Sequence, residues 1–509
     1  MKRFKPIISR TILMVLFFAI QLATIFTIAW NFKDYFTYYY AFDTLLRVIF
    51  VIKIANDDSN PGYKIAWIIP VAFVPIFGGL IYVLFGSQTL KKKTIAKMTR
   101  ISSDAYKTLN LKDNTVSKKL EDEDKTAFVQ SNYINKFANF PVYDNTYTEY
   151  LPSGEIKFQK MLEELEKAKK FIFIEYFIIG EGIMWNSILE ILKKKVAQGV
   201  DVRVIYDSFG SIEVLPLKYE KKLESMGIKC AVFNPFVPVL DVRLNNRDHR
   251  KICVIDGNVG FTGGINLADE YINAYELHGH WKDTAILLKG DAVWSLTVMF
   301  LTMWDYLKNS QTDILNFRGT SHEKYENAGY IQPYSDNPMD SEPVGETVYL
   351  NIINKVVDYI YITTPYLIID NTMLSSLCSA AKAGIDVKII TPHIPDKKYV
   401  HAVTRSYYEK LIGSGVEIYE YTPGFIHAKT FVADDKYGIV GTINMDYRSL
   451  FLHFECATWL YKTKCVGEIK EDFLKTLEVC EKITIEQCKK IPWYKRATCG
   501  ILKILAPLM

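Results

Sequence analysis

Cysteine and net charge are both scarce in this chain, and each shortage excludes a class of protein. The 509 residues hold eight cysteines, none in C-x-x-C spacing, and half of them fall in the last 50 positions. That argues against a zinc site or a disulfide framework, and reduced cytoplasmic thiols are the simple reading. Lys and Arg total 61 against 57 Asp and Glu, a formal net charge of +4. So small a basic excess does not support a nucleic-acid partner. Aromatics, by contrast, make up 14% of the chain, and the mean hydropathy is slightly positive. That combination points to a membrane.

The apolar runs lie at the N-terminus. Ile8 to Trp30 carries one interior charge, Arg10, and is long enough to span a hydrocarbon core. Ile65 to Gly86 reads as a second span that tolerates Pro70, Pro75 and Gly78-Gly79. Between them, 38–55 is apolar but carries Asp43, Arg47 and Lys53, which suits an interfacial or tilted helix better than a full span. A cleaved signal peptide would need a shorter apolar region and a small-residue cleavage site. Lys2, Arg3, Lys5 and Arg10 flank the first span, and Lys91, Lys92, Lys93, Lys97 and Arg100 follow the second. Both ends are then expected on the cytoplasmic side, with Asp57-Asp58 outside. The basic run after the second span suits anionic lipid headgroups. At the other end, Trp493-Tyr494-Lys495-Arg496 before Ile501 to Met509 reads equally as an interfacial anchor or a docked segment.

The chain writes one pattern twice. His249-Arg250-Lys251 leads to Asp256, Gly263, Gly264 and Asn266; His427-Ala428-Lys429 leads to Asp434, Gly441, Thr442 and Asn444. Both copies read H-x-K-x4-D-x6-G-[GT]-x-N, with 17 positions from His to Asn. The bland alternative for either motif alone is a surface strand that happens to carry a His and a Lys, but six positions must match; two copies at identical spacing are not drift. The apolar residues around each motif predict a strand, which puts His249 with Lys251, and His427 with Lys429, on one face. Each aspartate falls where its strand should turn, and a second strand should bring Asn266 or Asn444 back alongside. Two imidazoles, two ammonium groups and two amides converging on one point fit a phosphate. The lysines and asparagines would hold non-bridging oxygens, one imidazole would attack, and the other would move the proton.

This pattern resembles the phospholipase D superfamily, in particular its two-motif members. The resemblance implies catalysis through a phosphohistidine with no metal and no cofactor. Carried over, it marks His249, Lys251, Asp256, His427, Lys429 and Asp434 as the catalytic signature, with the N-terminal histidine the usual nucleophile. The distance of Asp256 and Asp434 along their strands suggests a supporting role. Asp283 and Glu455 are the better candidates for fixing the ring tautomers. Gly264 stands where the family often has serine, and Asp248 where asparagine is usual.

The repeat extends beyond the motifs. Phe171 to Tyr176 opens one half and Tyr359 to Thr364 the other. Each leads to a helix (183–198; 371–383), a buried strand (199–206; 384–390) and a further helix (219–226; 407–412) before its motif. The expected fold is α/β: two pseudo-twofold lobes forming one catalytic domain behind an N-terminal transmembrane hairpin. The boundaries follow as a membrane anchor at 1–90, a connecting region at 91–150, a first lobe at 151–310, a linker at 311–345, a second lobe at 346–480 and a membrane-proximal tail at 481–509.

The Asn56 to Gly62 loop, the second span ending Leu84-Phe85-Gly86, the phrase Asn246 to Lys251 and the tail Ala506-Pro507-Leu508 look like the bacterial cardiolipin synthases. That narrower resemblance implies transfer of a phosphatidyl group between two phosphatidylglycerol molecules at the bacterial cell membrane, with lipid partners and no nucleic acid. A hydrolytic phospholipase D would use the same residues with water as acceptor. A superfamily nuclease would want a basic groove, and a non-catalytic scaffold would not need both motifs intact.

Overall fold

The computed structural model describes residues 19–508, except 21–22, 25, 28–29, 31–34, 87–91, 110–114, 236–245, 321–322, 326–328 and 341. The chain divides into two compact units: Met1–Leu90 with Leu240–Val242 and Gly500–Met509, and Lys91–Val239 with Arg243–Cys499.

In the first unit, most of the expected 8–30 span lies outside the described residues. The middle segment forms the helix Phe36–Ala55, in which Asp43 and Arg47 pair at 3.2 Å one turn apart. The 65–86 stretch is two helices, Pro61–Phe73 and Pro75–Phe85, broken at Val74. The break has a local cause: a residue before proline is pushed out of helical geometry, and Pro75 is well placed at a helix start. Asn60 caps the first of the pair by accepting the Gly62 N–H at 2.9 Å. Ile54, Trp67, Val71, Ile81 and Tyr82 form a small core, and the C-terminal turn Ala506–Leu508 packs on the Pro61–Phe73 helix. Among the described residues, no helix is long and apolar enough to cross a membrane.

The second unit is built on two mixed sheets of matching strand order. The first runs Thr146–Leu151, Ala285–Gly290, Val259–Gly263, Lys251–Ile255, Phe171–Tyr176, Asp201–Asp207, Lys229–Phe233. The second runs Tyr330–Asp336, Glu455–Tyr461, Tyr437–Gly441, Thr430–Ala433, Tyr359–Thr363, Asp386–Pro392, Glu417–Tyr421, and adds Cys480–Lys482 at its edge. In each, three strands are parallel and the motif strand lies antiparallel to the first of them. The central strands are buried throughout, which is why they read as unbroken apolar runs. The helices Ile183–Ala197 and Asn371–Lys382 both end before a left-handed glycine, Gly199 (φ 86°) and Gly384 (φ 96°).

The repeat starts earlier than expected in both halves. Thr146–Leu151 falls inside the predicted connecting region, and Tyr330–Asp336 inside the predicted linker, yet both are sheet strands. Pro333 conceals the second one. It is tolerated because Tyr330–Asp336 is the sheet's edge strand. The predicted tail likewise begins within the second lobe. Ile485–Lys489, started by a Thr484–Gln487 capping box, packs on the Lys398–Ile412 helix. The helix Val293–Lys308, buried along most of its length, backs the first sheet, with Phe300 stacked on Phe173 at 4.5 Å.

Candidate active site

Each motif histidine sits just before its strand and is pinned by the other lobe. The His249 N–H donates to the Phe454 carbonyl at 2.9 Å, and the Phe454 N–H to the Arg247 carbonyl at 2.8 Å. Symmetrically, Gly424–Ile426 pairs in parallel with His280–Lys282, and the His427 N–H donates to the Lys282 carbonyl at 2.7 Å. Glu455 follows Phe454 and Asp283 follows Lys282, so the two carboxylates are delivered across the lobe boundary. Nδ1 of His249 lies 2.9 and 3.0 Å from the Glu455 oxygens, and Nδ1 of His427 lies 2.6 Å from Asp283 Oδ2. A carboxylate on Nδ1 selects the tautomer with its proton there and leaves the Nε2 lone pair free.

The surroundings keep both rings neutral. Burial and the charges of Lys251 and Lys429 hold the His249 and His427 pKa values well below the ordinary range. Burial also lowers the ammonium pKa values, to about 8 for Lys251 and about 7 for Lys429, against the pull of Glu455 and Asp283. Burial raises the Asp283 carboxyl to about 6. Each lysine reaches back to the carbonyl of its own histidine, Lys251 at 2.7 Å and Lys429 in closer contact. Phe177 stands edge-on to His249 at 5.0 Å, while Tyr271, Trp281 and Phe425 lie within 5.8 Å of His427. These rings are poor company for water.

The asparagines come back alongside just past the ends of the second strands, Val259–Gly263 and Tyr437–Gly441, but are tied down. Asn266 accepts the Ile178 N–H at 3.0 Å and donates to the Tyr271 hydroxyl at 2.7 Å. Asn444 donates to Ser449 Oγ at 3.1 Å, and its buried Oδ1 has no hydrogen-bond partner among the described residues. Each Nδ2 still has a second N–H for a ligand oxygen.

The motif aspartates are elsewhere. Asp256 and Asp434 sit at φ 52° and 53° in the turns at the far ends of their strands. Asp256 accepts the N–H groups of Lys169, Lys170 and Phe171 at 2.7–2.9 Å; Asp434 accepts those of Val357, Asp358 and Tyr359 at 2.8–3.0 Å. They clamp the start of each central strand and do not reach the histidines, so placing them in the catalytic set is corrected: their carboxylates are spent on backbone.

The two departures from the family pattern also have reasons. A Cβ on Gly264 would lie 2.1 Å from Asp283 Oδ1, so a serine there would displace the carboxylate. At the matching position, the Thr442 hydroxyl donates to Glu455. Asp248 belongs to a buried cluster in which it and Glu175 both accept from Arg250.

Sequence reasoning missed His453. Its ring centroid is 5.7 Å from that of His249 and its Nδ1 is 3.7 Å from Glu455. Both nitrogens are buried beyond hydrogen-bond reach of a partner among the described residues, and burial lowers its pKa to about 4. The only signal was its place two residues before Glu455. His249, His453 and Glu455 offer ligand atoms within 4.8 Å of one another. Lys251 and Lys429 put positive charge beside them, a setting that suits an anion better than a cation.

A duplicated α/β fold in which each half supplies one histidine and one lysine to a shared, buried, anion-seeking centre defines the class: a two-motif enzyme of the phospholipase D superfamily. Residues 161–293 and 349–477 match the family described as cardiolipin synthase, PLD-like domain, and 45–87 match a phospholipase D-nuclease N-terminal segment. A cardiolipin synthase of Halalkalibacterium halodurans is 32% identical over 92% of this chain and 94% of its own. One of Clostridium perfringens is 35% identical over 89% and 95%. An uncharacterised protein of Streptococcus mutans is 44% identical over 90% and 99%. Among solved structures, the phosphatidylserine synthase of Haemophilus influenzae superimposes with a TM-score of 0.58 at 15% identity, over 76% of this chain and all of that one, a likeness of fold. The chain belongs to the cardiolipin synthase family of phospholipase D-like proteins.

Proposed function

We propose that the chain joins two phosphatidylglycerol molecules into cardiolipin and glycerol through a phosphohistidine. The observation that carries this reading is the crossed pair: two neutral imidazoles, each held by the other lobe's carboxylate, beside two buried ammonium groups. The first phosphodiester brings its negative charge between Lys251 and Lys429, which restores the proton affinity that burial and those cations had taken from His427. His249 Nε2 attacks phosphorus. A P–N bond forms, the P–O bond to the headgroup glycerol breaks, and His427 protonates the departing oxygen. A second phosphatidylglycerol then attacks with its headgroup hydroxyl, gives that proton to His427, and regenerates free His249. Lys251, Lys429, Asn266 and Asn444 hold the non-bridging oxygens. Glu455 and Asp283 keep the tautomers and balance the imidazolium charge. The aromatic walls disfavour water as a competing acceptor.

The lipid substrates call for a membrane address. Spans at 8–30 and 65–86, with both ends cytoplasmic, would hold the lobes at the inner leaflet of the bacterial cell membrane; the family match at 45–87 supports this placement. The test is expression in a cardiolipin-free bacterial host alongside His249→Ala and His427→Ala. Cardiolipin with released glycerol from the intact chain, and neither from the variants, is the expected result. Phosphatidic acid without cardiolipin would make water the acceptor and overturn the reading.

A further inference from the structure

Large apolar side chains project from the loops at one end of the second unit. Phe209 and Leu217 stand on the loop after Asp201–Asp207, Tyr275 and Leu277 on the segment after the 3₁₀ turn Asp269–Ile272, and Ile394 and Tyr399 around the connection from Asp386–Pro392 into Lys398–Ile412. All six are exposed, Leu217 most of all at 84%.

These segments share one place in the fold: each is tied to a catalytic ring. The Phe209 ring lies 4.3 Å under the Arg247 guanidinium, two residues from His249, and Asp207 at the foot of the same loop accepts the Asp248 N–H at 3.1 Å. Tyr275 and Leu277 lie between Tyr271 and Trp281, which both face His427. The charge of Lys397, between Ile394 and Tyr399, reaches His427. The apolar tips therefore come from both lobes, on segments that each lead to one of the two motif histidines. At the opposite end of the sheets, the strands start in polar turns in which Asp256 and Asp434 clamp backbone N–H groups, and Lys169, Lys170 and Asp358 are exposed.

We infer that this rim is a bilayer-contact surface whose tips enter the headgroup and upper acyl region of a phospholipid membrane around the cleft. The inference rests on the lipid-substrate reading above and adds the surface through which the substrate is reached. A lipid whose headgroup must meet two buried histidines either leaves the bilayer or is met at its surface, and an apolar rim permits the second. Exposed Lys218, Lys221, Lys397 and Lys398 are interleaved with Glu213, Glu276 and Asp396. With charges this mixed, burial of apolar tips and not a basic patch supplies the attraction, so contact should depend little on salt.

The test uses the full chain in its membrane. A benzophenone amino acid placed at Leu217 or Tyr399 should crosslink radiolabelled phospholipid on irradiation at about tenfold the yield of one at Val357, an exposed apolar residue at the opposite end. Equal yields, or label passing to protein instead of lipid, would overturn the inference. Because crosslinking does not need turnover, it reads the surface even where the proposed reaction fails. A second readout follows activity. The double variant Leu217→Asp, Tyr399→Asp should lose about tenfold of its cardiolipin formation on phosphatidylglycerol vesicles and keep it on phosphatidylglycerol dispersed in detergent. Equal loss in both would make these residues structural and sink the proposal.

Discussion

The two lobes share a strand order but not the detail of their carboxylates. The first lobe presents a short acid, Asp283, against a glycine, Gly264; the second presents a longer acid, Glu455, against a threonine, Thr442, whose hydroxyl it accepts. Side-chain length and neighbour size vary together, so each carboxylate reaches the histidine of the opposite lobe in its own way. Asp283 is close enough to Gly264 to exclude a side chain there, and Glu455 leaves room for a donor. The x position of the motif differs too: Arg250 ties its strand to Glu175 and Asp248, where the second lobe has only Ala428. One scaffold occurs twice, and the two copies differ in the carboxylate that holds the opposite histidine and in the residue beside it.

The largest way to break the comparison is to remove one ring. His249→Ala and His427→Ala should each lower the rate by about 10⁴-fold or more, measured as cardiolipin formed per folded molecule, because neither lobe can stand in for the other. Next come the carboxylates. Glu455→Gln and Asp283→Asn should each cost on the order of 10³-fold in kcat by favouring the wrong tautomer, with little change in KM. Gly264→Ser should behave like a mild Asp283 variant, losing about 10²-fold by displacing that carboxylate. Thr442→Ser should be close to neutral. A Gly264→Ser enzyme with full activity would break the size-matching account.

The acidity of the site gives a subtler test. As pH falls through about 6, Asp283 becomes protonated and loses the charge that balances the His427 imidazolium, so kcat/KM should fall on the acid side. As pH rises through about 7 to 8, Lys429 and Lys251 lose their charges in the free enzyme, and the alkaline side should fall as well. For stability the sign is opposite on the acid side. Asp283 has a folded pKa above its unfolded value, so its contribution is fully present below about 4 and is lost as pH rises through about 6. The smallest effect on chemistry belongs to the motif aspartates. Asp256→Ala or Asp434→Ala should cost about 1–3 kcal/mol in stability, seen as a lower Tm, while the rate per folded molecule stays within about threefold.

Much of this was legible in the sequence, for physical reasons. Six polar or glycine positions at fixed spacing, repeated, mark a turn between two antiparallel strands, and buried parallel strands such as Phe171–Tyr176 write themselves as apolar runs. Asp283 and Glu455 could be nominated as carboxylates lying beyond their motifs. Their crossing between lobes could not be read, because it is decided by the ladder between Gly424–Ile426 and His280–Lys282 and by the bridge from Asp248 to Phe454. Those pairings are non-local and leave no periodicity. Tyr330–Asp336 was hidden by Pro333, and His453 by being a single residue outside any pattern. The role of Asp256 was half visible: seven positions at about 3.3 Å each separate it from His249, too far for a shared site, but its three backbone partners lie some 85 residues upstream.

The most direct test of the division of labour is to acid-quench the enzyme during turnover of phosphatidylglycerol labelled at phosphorus and to look for covalent label on the protein. The account predicts label on the intact chain and none on His249→Ala. Label on His249→Ala, or none on any form while cardiolipin is being made, would contradict it.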